Sequence, residues 1–164
     1  MKVDSLTSLP ALGALWPEQG GHFAGITRDA SGATFAVIVP PKGVGELPQA
    51  KWGGYGKDTP GAKHFTDGRA NTRELLADKL EHPAAAACAV FEHDGHDDWY
   101  LPSTGELRLA HMHCPELFET SGWYWSSTQI GRSNAWAQYF EFGDSYYYVK
   151  DIGFRVRAFR RSFI

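Results

Sequence analysis

Positive charge is in short supply: 16 Lys and Arg stand against 19 Asp and Glu, leaving a formal net charge of -3. Attraction to a phosphate backbone needs a net basic face, so the balance argues against a general nucleic-acid binder. Cysteine is scarce as well, with Cys88 and Cys114 alone. Their spacing matches neither a disulfide framework nor a zinc ribbon, and both are expected to be free, mostly buried thiols. Long apolar runs are missing, which excludes a membrane-spanning helix. The stretch from Leu9 to Leu15 is broken by Pro10 and has no small-residue cleavage site, so no secretion signal is expected in this chain. Work outside a cell would then need lysis, a particle or a tail assembly to deliver it. The sequence also lacks a glycine-rich phosphate loop, a nucleophile elbow, a paired catalytic carboxylate motif, internal repeats and low-complexity tracts.

What is present fits one globular unit. A chain of 164 residues, 43% hydrophobic and 14% aromatic, can build one real core but not two ordinary ones. The 18 Gly and 9 Pro are spread along it and predict many turns. Residues 1–15 read as a lead-in or attachment segment and 16–164 as the domain. Phe35-Ala36-Val37-Ile38-Val39, bounded by Gly32 and Pro40-Pro41, predicts a buried strand. Asn71 with Glu74 has the spacing of a capping box and predicts a helix over 72–80, with Leu75, Leu76 and Leu80 on its apolar stripe. Pro83 opens a second helix through Ala84 to Val90. Ser103 with Glu106 caps a third that runs through Leu107 and Leu109 and stops before Pro115. Beyond Gly122 the apolar period becomes two. Trp123/Trp125, Trp136/Gln138/Phe140 and Phe154/Val156 predict three or four antiparallel strands, with Gly131, Gly143 and Gly153 in turns. Helices first and strands last make an α+β class.

Candidate chemistry is thin. Glu92-His93-Asp94-Gly95-His96-Asp97-Asp98 is the densest ionisable run, but it lacks EF-hand spacing and reads as a surface turn. Asp98 is the member expected to be structural, because it precedes Trp99-Tyr100-Leu101-Pro102-Ser103. His111 and His113 fall on different helix faces, and Cys114 is flanked by Pro115, a poor setting for a nucleophile and base. No catalytic residue, metal site or cofactor is expected. The Arg155–Arg161 tail alternates with apolar residues and predicts a terminal strand whose arginines pair with carboxylates.

The positive signal is a polar and aromatic set interleaved with the aromatic anchors of the last third. Gln129, Ile130, Arg132, Ser133, Asn134, Gln138, Tyr139, Glu141, Asp144, Ser145, Tyr146, Tyr147 and Tyr148 are the candidate ligand-binding residues. Strands that bury Trp and Phe while showing these side chains to solvent make a display surface. Tyr beside Arg and Asp is the mix found at binding hot spots. The alternative is that Tyr146 to Tyr148 form cross-strand pairs covering a sheet face.

A set of motifs gives a family resemblance. Phe23-Ala24-Gly25-Ile26, Asp67-Gly68-Arg69 with Asn71-Thr72, His82-Pro83-Ala84-Ala85, Asp98-Trp99-Tyr100-Leu101-Pro102-Ser103 with Glu106-Leu107, Tyr124-Trp125-Ser126-Ser127-Thr128, Ala135-Trp136 and Val156-Arg157-Ala158-Phe159-Arg160 resemble a phage and bacterial domain. That domain is typified by the C-terminal domain of the Legionella collagen-like adhesin. The resemblance covers about residues 16 to 161 and implies a C-type-lectin-like fold, related to the formylglycine-generating type. The closing segment is also similar to the variable proteins of diversity-generating retroelements. It implies a scaffold of Trp125, Ser126, Ser127, Trp136, Phe140, Gly143, Arg155 and Arg157, with the polar set above on display.

Calcium-dependent sugar motifs of the Glu-Pro-Asn or Trp-Asn-Asp type are absent, so a sugar would be held without that metal. Both cysteines precede the Tyr-Trp-Ser-Ser-Thr motif, which weakens an oxidase reading. The expectation is a non-enzymatic phage tail-fibre or tail-tip receptor-binding protein, made in the host cytoplasm and carried on the virion. Its partners would be a host-surface protein or glycan and other tail proteins, with no nucleic acid and no membrane insertion. A trimeric homo-oligomer is what the family implies. The rival reading is a structural virion subunit whose aromatic face packs on a neighbouring chain; a metal-dependent hydrolase or an oxidase would need metal at Asp94, Asp97 and Asp98.

Overall fold

The computed structural model describes residues 8–164, so the start of the expected lead-in lies outside the described residues. In chain order the elements are β1 (Leu15–Trp16), β2 (Gly21–Arg28), β3 (Thr34–Val39), β4 (Glu46–Lys51), α1 (Gly68–Ala77), α2 (Pro83–Ala89), α3 (Thr104–His113), β5 (Trp123–Gln129), β6 (Asn134–Tyr139), β7 (Ser145–Val149), β8 (Gly153–Arg157) and β9 (Arg160–Phe163). The strands form two sheets, one ordered β1-β2-β3-β9 and the other β4-β8-β5-β6-β7. Among the described residues, three short helices beside these largely antiparallel sheets make the fold α+β.

The apolar run predicted as a buried strand is β3, fully buried from Phe35 to Val39 between β2 and β9. Ahead of it, Gly13 N–H donates to the Phe23 carbonyl and Phe23 N–H to that of Ala14, so residues 13–16 extend the sheet edge. Phe23, Ala36 and Ile38 pack there with Leu9 and Trp16.

The first helix differs from its prediction. It begins at Gly68, where the Asp67 carboxylate accepts from the Ala70 N–H, and ends at Ala77. Asn71 is no cap. It is buried, takes the His64 N–H and donates to the His64 carbonyl, so its amide holds a distant loop instead. Of the expected stripe, Leu75 is buried while Leu76 and Leu80 are exposed. The second helix follows its prediction from Pro83, and the third carries the expected capping box. The Glu106 carboxylate accepts from Ser103 N–H at 2.9 Å, from Gly68 N–H at 2.9 Å and from the Tyr100 hydroxyl. One buried side chain therefore ties the starts of α1 and α3 together.

The second sheet is antiparallel except at one place. β8 runs parallel to β5 at Tyr124 and Arg155, so the expected all-antiparallel meander does not hold there. β8 lies on the side of β5 away from β6 and β7. The basic tail is likewise two strands rather than one. β8 and β9 sit in different sheets, and Phe159 between them bonds Tyr100 in both directions. Its arginines do pair with carboxylates: Arg157 with Glu46, Arg160 with Asp98 and Arg161 with Asp67. Arg155 instead donates to Ser121. Gly153 opens β8, whereas Gly143 sits in the β6–β7 turn with φ +78°. A Cβ there would lie 2.4 Å from the His111 ring, so glycine is required.

Candidate functional site

The surface is built on the Tyr124-Trp125-Ser126-Ser127-Thr128 segment, whose side chains are all buried. Between Trp125 and Gln129 the pairing of β5 with β6 slips, freeing this backbone for other partners. Ser127 N–H donates to the Pro102 carbonyl and Gln129 N–H to that of Ala62. Ser126 Oγ donates to the Trp136 carbonyl at 2.7 Å, fixing the middle of β6. Thr128 Oγ1 receives the Thr104 N–H and donates to the His64 carbonyl. The Trp125 indole N–H reaches the carbonyls of Ala50 and Ile152. Buried hydroxyls and indoles so satisfied hold a rigid floor.

On this floor β6 and β7 pair without slippage, Asn134 to Val149 through Gln138 to Ser145. Directly opposed residues share a face. Tyr148 lies on the face of Trp123 and Phe154, with ring centroids at 4.9 and 5.1 Å, and is half-buried. Tyr147 lies on the other, 6.1 Å from Trp136, and its ring stacks on Tyr146 at 4.7 Å. Tyr146 and Tyr147 are 52% and 43% exposed. Tyr148 thus covers the sheet, while Tyr146 and Tyr147 meet solvent.

The other candidates divide between the two ends of the ribbon. Arg132 and Ile130 are exposed in the β5–β6 turn, with Ser133 and Asn134 partly covered beside them. At the opposite end Tyr139 donates to Glu141 at 2.9 Å, near exposed Asp144. Ser145 donates to Gln138 and accepts from Arg108. The six residues of β6 separate these ends by about 20 Å, so no compact ligand touches both.

Two members are not on display. Gln129 and Gln138 are 3% and 1% exposed. Gln129 is consumed internally: its Oε1 accepts from Thr59 N–H at 2.9 Å and Lys150 Nζ at 2.6 Å, and its Nε2 donates to Asp58 at 2.5 Å. Gln138 lies on the face of Tyr124, beneath α3, where β6 is covered on both sides. Sequence reasoning also missed exposed neighbours. Phe142 is 73% exposed at the Tyr139 end, and Phe65 is 48% exposed beside Trp136, with the Arg108 guanidinium over its ring. Phe142 falls in the aromatic run and was readable there; Phe65 comes from a loop brought in by His64, which no local pattern reveals.

Elsewhere the ionisable groups are structural or exposed. The 92–97 run forms a tight turn, His93 pairing with His96 and Asp94 at φ 53°, beside a cleft of about 410 Å³. Asp98 receives Arg160 Nε at 2.6 Å, as its expected structural part requires. Among the described residues no three His, Cys, Asp or Glu side chains gather closely enough to hold a metal ion. Both cysteines are free and buried; burial pushes the Cys114 thiol up to about 12 and Cys88 higher still, so neither offers a thiolate. Among the described residues no helix is long and apolar enough to cross a membrane. No family model and no curated protein matches this chain.

Proposed function

We propose that this chain is a non-enzymatic recognition module that uses the β6–β7 ribbon to bind a host-surface protein or glycan, as a tail-fibre or tail-tip component of a phage particle. The reading joins the family resemblance, with its C-type-lectin-like fold, to one observation. That observation is a row of solvent-facing aromatic and charged side chains, Arg132, Tyr146, Tyr147, Glu141 and Phe142, standing on a ribbon whose floor is held by the buried hydrogen bonds of Ser126 and Thr128. Rigid tyrosines give contact area with little loss of side-chain entropy on binding. The larger clefts, of about 410 and 520 Å³, are lined by other residues, so a flat macromolecular contact suits the ribbon better than a small ligand in a pocket. Weak single contacts would be multiplied by copy number on a particle.

The test compares saturable binding to cells of the presumed host by the wild type and by a variant carrying Arg132→Ala, Glu141→Ala, Phe142→Ala and Tyr146→Ala. The replaced side chains are exposed, so melting should change little. Loss of about tenfold or more in affinity by a folded variant is the expected result. Equal binding by both proteins, or none by either, would sink the proposal and leave the structural-subunit reading in its place.

A further inference from the structure

We infer that β7 is a self-pairing edge through which two copies of this chain form a two-fold dimer, joining their five-stranded sheets into one. The inference goes beyond ligand recognition and does not depend on it.

Among the described residues β7 is the terminal strand of its sheet, paired with β6 alone. Lys150 N–H bonds the Ser133 carbonyl and Tyr139 N–H the Asp144 carbonyl. Given the register, residues 144, 146, 148 and 150 turn their backbone groups toward β6. Ser145, Tyr147 and Val149 therefore turn theirs outward, and of these the Val149 carbonyl is taken by Ile152 N–H. An unpaired row of this kind is a template for another strand. The other edges of the two sheets are blunted: β4 contains Pro48, ends in Lys51 and has a register shift, β1 is two residues long, and β9 carries Arg160 and Arg161. β7, Ser-Tyr-Tyr-Tyr-Val, has neither charge nor proline nor bulge.

The sequence of the strand selects a second copy as its occupant. An antiparallel pair centred on Tyr147 lets the two Tyr147 residues exchange both backbone bonds, while each Val149 N–H donates to the Ser145 carbonyl opposite. In that same register Tyr146 falls opposite Tyr148 of the second copy, and Tyr148 opposite its Tyr146. All three tyrosines thus meet tyrosines, and aromatic pairs directly opposed across strands stabilise a sheet. The nearest charges, Asp144 and Lys150, oppose each other with opposite sign, so no like charges face across the axis. A closed two-fold contact also consumes the edge completely and stops further addition.

The test is sedimentation velocity of the purified chain at micromolar to tens of micromolar concentration, without ligand. Twice the chain mass is expected for the wild type. Tyr147→Lys and Tyr147→Glu each place like charges on the axis and should be monomeric while still melting cooperatively, at a lower temperature because the dimer no longer stabilises the fold; mixed in equal amounts they should return to the dimer mass. If either fails to fold, Val149→Pro, which removes only an outward N–H, takes its place as the monomeric variant. A wild type that stays monomeric, a Tyr147→Lys protein that stays dimeric, or a mixture that stays monomeric would each overturn the inference. Cell binding is not read in this experiment, so its failure and that of the recognition reading are separate results.

Discussion

The Lys150 ammonium lies out of reach of solvent, donating to Gln129 and to the Lys57 carbonyl with the Trp52 ring 4.6 Å away. Burial pulls its pKa down to about 8, against the pull of Asp58 and Asp78 and helped by Lys63. In an unfolded chain the same group titrates near 10.4. Between these values the unfolded state holds a proton that the folded state has released, so this lysine makes stability rise with pH from about 8 to about 10. Lys150→Met keeps the stem against Trp52 and removes the titration. The wild-type melting temperature minus that of Lys150→Met should therefore climb across this interval; a flat difference would show that the ammonium is not desolvated as described. Asp78 acts in the same direction in the acid range. Hydrogen bonds from His82 and Thr59 hold its carboxyl at about 2, so its contribution is complete above about 4 and is lost as pH falls toward 2. Asp78→Asn should flatten acid unfolding in that window, read by urea titrations at pH 2 to 5, and an unchanged acid limb would contradict it.

At the scale of elements, Asp67 holds two jobs at once. One oxygen caps α1 and meets the buried Arg161, while the other receives the Ala30 N–H at 2.8 Å. An ordinary cap contributes about 1 kcal/mol, whereas leaving a buried cation without its partner costs about 3–5 kcal/mol. Asp67→Ala should fall in the second range in urea unfolding, with Asp67→Asn between it and the wild type because the amide still caps. A loss near 1 kcal/mol for the alanine variant would mean that Arg161 finds compensation over Phe35 and Tyr100. The same comparison explains what was legible in the sequence. Ser103 and Glu106 form a local capping box, so three residues of spacing were enough to find it. The helix at Asp67 was misplaced because Asn71 has the right local chemistry but is claimed by His64 from outside the helix. Alternation along β6 and β7 located the aromatic ribbon, but Gln129 and Gln138 were placed outside because their partners, Thr59, Lys150 and the cover of α3, come from distant segments.

At the scale of the whole molecule, the last strand closes the structure that the first strands open. β9 pairs with β3 from Phe35–Phe163 to Ile38–Arg160, so the sheet holds both early and late parts of the chain. Three arginines of this segment reach separate regions: Arg157 the carbonyls of Leu117, Pro40 and Pro41; Arg160 Asp98 and Gln19; and Arg161 Asp67. Their partners are mostly carbonyls and carboxylates from loops that have no strand of their own, which makes the tail a clamp rather than a trimming. Removing residues 160–164 would strip β9, leave Asp67 without Arg161 and bare the edge of the apolar β3 run. An exposed, uncharged strand rich in β-branched residues is a template for aggregation. The truncated chain is expected to unfold well below the wild type in thermal melts and to scatter light on standing. Arg160→Ala removes a buried guanidinium and leaves the Gln19 carbonyl without its donor, while exposed Asp98 returns to water; it should lose about 1–3 kcal/mol, less than the truncation. If the truncated chain instead melts within a few degrees of the wild type and stays monodisperse, β9 is an ornament on a sheet that β2 and β3 already complete, and the clamp assigned to these arginines would rest on Arg157 alone.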